Sequence, residues 1–458
     1  MKPHLHFMGI AGVGMSGLAR WYLADGYPVS GCDALESPEL HTLRRQGVEA
    51  HLGHDAAHMD SADILVSSMA VPATHPEIGA AHALGKPSLR RIELLARLLR
   101  DRRSVTVTGT HGKSTTTGMI ATLFLKADLD PSVLVGGQLA SLGSNVRYGH
   151  GAWLVAEVDE SDPGFAELPS EVAVLTNLED DHIAGEFSER RNYHASLADL
   201  EAAARTFAGR AEHVLYCADW PGLAGLVAGL PHTVSYGLSE AATYRAEIHT
   251  LSGSGSHFSV HTPAGSCEVN LSVPGAHNVQ NATAALAAAH VAGLELQAAA
   301  EHLSSFDGVG RRWQRRGSVR GALIIDDYAH HPTEVQVTLE AARHTGRRVR
   351  AVLQPHRWVR TARHWPALAD AAGLADEVLV LDIYGAGEDA IPGVSAEQIV
   401  RRLRGAGKRA EHHTAASAQA YLAETLAPGD LVITLGAGDV WRVAEGLVNA
   451  SGGDDGSA

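Results

Sequence analysis

Lysine is scarce in this chain. Lys2, Lys86, Lys113, Lys126 and Lys408 are the only lysines in 458 residues, and arginine supplies nearly all other positive charge. Acidic residues outnumber lysine and arginine 52 to 37, leaving a formal net charge of -15. That balance argues against a general nucleic-acid-binding surface, which is normally basic. Long apolar runs are missing as well: no stretch approaches the roughly 20 apolar residues of a membrane helix, so no membrane insertion is expected. Cys32, Cys217 and Cys267 lie far apart and form no Cys-x-x-Cys. This spacing predicts neither a disulfide framework nor a zinc knuckle, but three small buried hydrophobes. Met1 to Phe7 lack the apolar region and cleavage site of a signal peptide, and a cytoplasmic location is expected.

What is present is a chain of soluble composition, 45% hydrophobic and 19% charged, too long for one core and read as three domains. The first hundred residues alternate strand and helix: Leu5 to Met8, a helix from Gly17 to Ala24, Val29 to Cys32, and Ile64 to Val66. That alternation predicts a parallel sheet. A helix from Arg90 to Arg102 leads into a β-branched strand, Ser104 to Thr108. Further buried strands are predicted at Trp153 to Ala156 and Val172 to Leu175. Thr243 to Val273 reads as an antiparallel excursion and Asn278 to Leu294 as an alanine-rich helix. A second α/β alternation follows, with strands at Ala322 to Ile325, Val349 to Leu353, Val378 to Leu381 and Leu431 to Thr434. The tail Ser451 to Ala458 has too little apolar surface to fold and is expected to be disordered.

Gly109-Thr-His-Gly-Lys-Ser-Thr115 follows one strand and opens a helix. Backbone N–H groups of such a loop surround phosphate oxygens, Lys113 reaches the terminal phosphates, and a following hydroxyl can hold magnesium. The spacing is Gly-x-x-Gly-Lys-Ser, shorter than the general phosphate loop. A second cluster, Gly9-Ile-Ala-Gly-Val-Gly-Met-Ser-Gly17, contains Gly-x-Gly-x-x-Gly with Asp33 after the next strand, where a ribose-binding acid belongs. Alone it fits a dinucleotide cofactor, another diphosphate ligand or a structural turn. A dehydrogenase has no use for the second, lysine-bearing loop, and a UDP-sugar suits the pair better. Acidic runs at Glu157-Val-Asp-Glu-Ser-Asp162 and Glu179-Asp-Asp-His182 supply oxygen and imidazole donors suited to magnesium. Asp326 to Glu334 and Gln354 to Arg360 follow strands, and paired arginines there can fix a carboxylate.

Taken together these stretches resemble the Mur ligase family from Gly9 to about Asp439, and Pro274 to Asn281, Arg311-Arg312 and Thr434 to Asp439 fall in its order. The shortened phosphate loop is the family's own form. The resemblance implies an α/β protein of three domains: a Rossmann-like UDP-sugar-binding domain at 1–103, a P-loop ATPase-type mixed sheet at 104–309, and a Rossmann-like domain at 310–458 that contributes to ATP and amino-acid binding. Its implied activity is ATP- and magnesium-dependent ligation of L-alanine to UDP-N-acetylmuramate through an acyl phosphate, by a monomer or homodimer. A tripeptide-adding recycling ligase and a nucleotide-binding protein without activity are the alternatives. Gly109, Thr110, His111, Gly112, Lys113, Ser114 and Thr115 would then hold ATP, with Asn281 at adenine, Arg312 at the phosphates and Asp327 at the ribose. Ser114, Glu157 and His182 are the implied metal ligands. Tyr328, His331, Arg357 and Arg360 are expected near L-alanine and the reacting phosphate, and Gly12, Gly14, Asp33, His54 and Ser68 at the UDP-sugar. Pro163, Ala184 and Trp358 depart from the family pattern. No lysine lies between Lys126 and Lys408, so the carbamylated lysine of other family members has no counterpart there.

Overall fold

Short, almost continuously buried apolar and β-branched runs put the predicted strands into three sheets in a computed structural model, which describes residues 2–68, 71–72, 74–181, 183 and 194–451. The first sheet has five parallel strands in the order Glu49–Leu52, Val29–Asp33, Leu5–Met8, Ile64–Ser67 and Ser88–Arg90. Strand order reverses between Leu5–Met8 and Ile64–Ser67, which opens a crevice above their carboxyl ends, directly beneath the first glycine loop. The helix after that loop spans Val13–Ala24 and so begins earlier than expected. Gly14, a poor helix former, is tolerated in the first turn because a side chain there would collide with the Arg91 guanidinium. The helix expected to reach Arg102 stops at Arg100. Arg102 instead donates to the carbonyls of Gly149 and Gly151, and the chain turns into the next sheet.

That second sheet has ten strands, with Arg103–Thr108 between Ser170–Leu175 and Trp153–Glu157, all three parallel. The antiparallel excursion is present as Tyr244–Ser252, Gly255–Thr262 and Gly265–Leu271 at one edge. The alanine-rich helix, Ala276–Val291, packs against the phosphate-loop helix Lys113–Lys126. Small side chains on the one and threonines on the other let the two backbones approach closely. The third sheet, of six strands, is parallel except for its first pair, Gln314–Val319 with Ala322–Asp327.

One apolar core runs without a break from Leu5 through the second sheet to Val309, so the first two domains share packing. Separate cores cover the two faces of the third sheet, which is joined to the rest mainly by polar contacts. Cys32, Cys217 and Cys267 are buried free thiols, as their spacing predicts.

Within the third sheet lies a fully buried guanidinium. Arg350 donates from Nε to Glu377 at 2.6 Å and from Nη2 to Thr425 at 2.8 Å, and its Nη1 meets Asp430 at 3.4 Å. Removing one partner of such a group leaves an uncompensated buried charge. Glu377→Ala should therefore lower the stability of the third domain by about 3 kcal/mol in urea unfolding, whereas Arg402→Ala, which removes an exposed pair with Asp370, should cost under about 1 kcal/mol.

Candidate active site

The phosphate loop is shaped by two glycines that no other residue could replace without displacement. Gly109 has φ +127°, and a Cβ there would lie 2.3 Å from the Thr176 hydroxyl and 2.6 Å from the Asn177 carbonyl. Gly112, at φ +82°, caps the helix that starts at Lys113, and its Cβ would meet Asn281 Oδ1 at 2.7 Å. Asn281 accepts from the Thr116 hydroxyl and donates to Asn278, so the predicted adenine contact sits against the loop. Asn177 Oδ1 accepts the His111 N–H at 2.7 Å, and Thr110 Oγ1 accepts the Glu179 N–H at 2.8 Å. The loop is thereby stitched to the end of the neighbouring strand.

Lys113 is largely but not wholly buried within the loop, donating to the carbonyls of Gly109 and Thr110 and paired with Glu160 at 2.7 Å. Burial opposes its charge, but Glu160, Glu157 and Asp159 outweigh burial and hold its pKa above the ordinary lysine value. Glu157 ends its strand with Oε2 accepting the Gly136 N–H at 2.6 Å. Gly136 has no room for a side chain: a Cβ would lie 2.4 Å from that carboxylate.

Glu179 joins the second and third domains. Its carboxylate takes His111 Nε2 at 2.6 Å, the Thr333 hydroxyl at 2.8 Å and His331 Nδ1 at 3.3 Å. Glu334 completes the group, 3.3 Å from both His111 Nδ1 and Arg312 Nη1. Burial by itself would lower the pKa of His111, but Glu179 and Glu334 lift it to about 9. His331 is pushed the other way, to about 4, by burial and the nearby His111. Asp327 accepts N–H groups of Trp313 and Ala329, and burial raises its pKa to about 6. The guanidinium groups of Arg311 and Arg312 each lie 5.0 Å from the centre of the Tyr328 ring.

Arg360 is buried and makes a two-pronged pair with Asp181, at 2.9 and 3.1 Å, across the same domain boundary. Arg363 holds Asp180 beside it. Arg357 caps the following helix at φ +68° and is paired with Glu388 at 2.5 Å. A cleft of about 1140 Å³ runs from Gly14 and Arg91, past Lys113, Ser114 and Glu157, to Arg312, Tyr328, Arg357 and Arg360. A second cavity of about 300 Å³ opens from Ser114 and Thr115 toward Asn281, Arg312 and Asp327, with Trp220, Tyr236 and His277 on its walls. Of the predicted nucleotide residues, His111, Gly112, Ser114, Thr115, Asn281, Arg312 and Asp327 line this recess, and of the predicted reacting groups Lys113, Glu157, Arg357 and Arg360 line the cleft beside it, while His331 lines neither.

The first-domain candidates are less convergent. Gly12 ends the glycine loop, Gly14 lies in the first turn of the helix after it, and Asp33 braces the loop by accepting the Ala11 N–H at 3.0 Å. Ser68 stands just past the strand at the sheet's crevice. His54 turns instead toward Cys32 and Glu77, away from the cleft lining. His182 lies outside the described residues. Sequence reasoning gave no role to Arg91, which faces Gly14 and pairs with Asp159 at 3.3 Å, or to Gly136, Arg311 and Glu334, and it counted Glu160 among oxygen donors for magnesium without its pairing to Lys113. Their signal was adjacency to recognised motifs; their ion-pair partners lie far off in sequence, Asp159 68 residues from Arg91 and His111 in another domain from Glu334.

Comparison with known proteins gives matches along nearly the whole chain. Family models described as "Mur ligase family, catalytic domain", "Mur ligase middle domain" and "Mur ligase, glutamate ligase domain" match residues 4–103, 107–289 and 311–438. The chain belongs to the Mur ligase family. Among Mur ligases it is 46% identical over 456 residues to a UDP-N-acetylmuramate–L-alanine ligase of Deinococcus radiodurans, covering 98% of this chain and 94% of that one. A Mesorhizobium japonicum protein of the same description is 40% identical, with 97% of each chain covered. The crystal structure of a UDP-N-acetylmuramate-alanine ligase from Thermotoga maritima superimposes with a TM-score of 0.83 at 28% identity, covering 98% of this chain and 99% of the other. A murein peptide ligase from Psychrobacter arcticus gives 0.70 at 25% identity over the same shares.

The His111 bridge has a definite pH signature. Its folded pKa lies above the ordinary 6.5, so its contribution is complete below about 6.5 and is lost as pH rises through about 9. The thermal midpoint should fall between pH 7 and 9.5, and His111→Asn should flatten that fall by at least half. An unchanged slope in the variant would place the titration elsewhere.

Proposed function

We propose that this Mur ligase joins L-alanine to the lactyl carboxylate of UDP-N-acetylmuramate at the expense of ATP, in peptidoglycan precursor synthesis. The observation that carries the reading is end-to-end likeness to proteins of that activity, 46% identical over 98% of the chain, combined with a single cleft lined by all three domains. With ATP and a nucleotide sugar as its substrates, the activity proposed here belongs in the cytoplasm. Among the described residues no helix is long and apolar enough to cross a membrane.

In this reading the nucleotide sugar lies over the first glycine loop, with its carboxylate directed along the cleft past Arg91. ATP lies with its phosphates on the loop from Gly109 to Thr115 and its base in the cavity beside Asn281. The carboxylate attacks the γ-phosphate, giving an acyl phosphate and ADP; the amine of L-alanine then attacks the activated carbonyl and phosphate leaves. Two anions meet in the first step, so the barrier is set by how well cations offset their repulsion. Lys113 serves the β- and γ-phosphates, Arg312 approaches from the domain hinge, and Arg357 and Arg360 serve the amino-acid carboxylate and the phosphate in transit. His331, kept neutral by burial and the nearby His111, serves beside the reacting groups as a hydrogen-bond partner rather than as a base, because a pKa of about 4 makes it too weak to deprotonate an ammonium group. The Ser114 hydroxyl and Glu157 carboxylate line the same cleft and are hard oxygen donors that fit magnesium, which would neutralise phosphate charge there. Closure of the third domain excludes water from the acyl phosphate.

Phosphate release from ATP with UDP-N-acetylmuramate and magnesium should require L-alanine and yield a product heavier by one alanyl residue. Release with a tripeptide acceptor alone would instead identify a recycling ligase. Lys113→Ala should reduce that release more than about 100-fold while UDP-sugar binding, measured calorimetrically, stays within about threefold. Equal loss of both would contradict the division of labour between domains.

A further inference from the structure

The first sheet carries a cluster of donor groups on the face away from the shared core. Residues alternate in direction along a strand, so His6 and Met8 on Leu5–Met8 face the same side as their register partners Ser30 and Cys32 on Val29–Asp33. Around Cys32 the covering layer is apolar, formed by Met59, Ala62, Leu65, Ile78 and Ala81. Into this layer Glu77 projects from the first turn of Pro76–Ala83 with its side chain fully buried, and His58 comes from the short helix Ala56–Met59. One donor atom from each of His6, Cys32, His58 and Glu77 lies within 4.8 Å of every other.

We propose that His6, Cys32, His58 and Glu77 form a tetrahedral transition-metal site of the zinc class, built into the nucleotide-sugar domain and separate from the phosphate cleft. Three observations carry this. The first is the spacing of the donors: Cys32 Sγ lies 3.4 Å from both Glu77 oxygens, and His58 Nδ1 lies 3.0 Å from Glu77 Oε1. Zinc bonds of about 2.0–2.3 Å require tetrahedral edges of about 3.3–3.8 Å, which the Cys32–Glu77 separations meet and which the His58–Glu77 hydrogen bond would reach by lengthening slightly. The second is an orphan: His6 Nε2 is buried with no hydrogen-bond partner among the described residues, while its Nδ1 is engaged by the Ser30 hydroxyl at 2.8 Å. A ring nitrogen fixed from behind, with the other left bare toward sulfur and carboxylate donors, is the arrangement that orients a metal-binding imidazole. The third is charge: a thiolate, a carboxylate and two neutral imidazoles balance a divalent ion, so the loaded site is neutral in its apolar surroundings. His54 stands at the rim, 3.2 Å from the sulfur and 3.6 Å from Glu77, and its partial exposure marks the route of entry.

Burial and the neighbouring Glu77 raise the Cys32 thiol above its ordinary pKa, and burial lowers His6 to about 4. The sulfur therefore keeps its proton until a metal displaces it, whereas His6 already has the ligating, neutral form.

The test uses the purified full-length protein, freed of metal by chelation and titrated with Co²⁺ alone. One equivalent should produce a near-ultraviolet thiolate-to-cobalt band together with intense visible bands of tetrahedral geometry, and one equivalent of Zn²⁺ should abolish both. The band should disappear in Cys32→Ser and persist in the Cys217→Ser/Cys267→Ser double variant. His6→Gln and Glu77→Gln should weaken Co²⁺ binding at least tenfold. Absence of the band in the wild-type protein, or its survival in folded Cys32→Ser, would overturn the proposal; the wild-type titration decides the matter even if a variant fails to fold.

Discussion

One carboxylate holds the working arrangement together. Glu179 sits where the strand Ser170–Leu175 gives way to an acidic loop, and it binds His111 of the phosphate loop as well as Thr333 and His331 of the third domain. Its neighbours Asp180 and Asp181 take Arg363 and Arg360. The third domain has cores of its own and leans on the rest through these polar contacts, whereas the first two domains share an apolar core. Apolar packing is permanent, but ion pairs can be exchanged for others of equal charge. The boundary made of exchangeable pairs is thus the one suited to the closure proposed above.

The same logic explains why so many cations in the cleft carry carboxylate partners: Lys113 with Glu160, Arg312 with Glu334, Arg360 with Asp181 and Arg357 with Glu388. A buried cation without a counter-charge is costly, so each is matched before any substrate enters. Phosphate and carboxylate groups of the substrates are suited to compete for these cations, and the displaced acids are then available to a divalent ion. In this account the cleft is neutral at rest and becomes an anion-binding surface only as its ligands arrive.

Much of this was legible in the sequence, because the strongest motifs depend on local geometry. Gly109, Gly112 and Lys113 form one short loop whose conformation follows from glycine's tolerance of positive φ, and the strands were visible as β-branched runs. What escaped notice depends on partners distant in sequence. Gly136 reads as an ordinary glycine until Glu157 is placed beside it, and Arg91 as a helix-surface charge until it is seen against Gly14. Cys32 was expected to be a buried small side chain and is one, yet its spacing from His6, His58 and Glu77 matches no short motif. His54 was assigned to the nucleotide sugar on resemblance, and its side chain is turned toward that cluster instead.

The measurement that bears most directly on the account follows the oxygen atoms. With ¹⁸O in the lactyl carboxylate of UDP-N-acetylmuramate, a carboxylate that attacks the γ-phosphate must surrender one of its oxygens to the phosphate released. Turnover with ATP and L-alanine should give inorganic phosphate carrying one ¹⁸O per molecule, detected by mass spectrometry or by the isotope shift in ³¹P NMR. Phosphate free of label, with alanyl product still formed, would contradict the acyl-phosphate route and the arrangement of the cleft inferred from it.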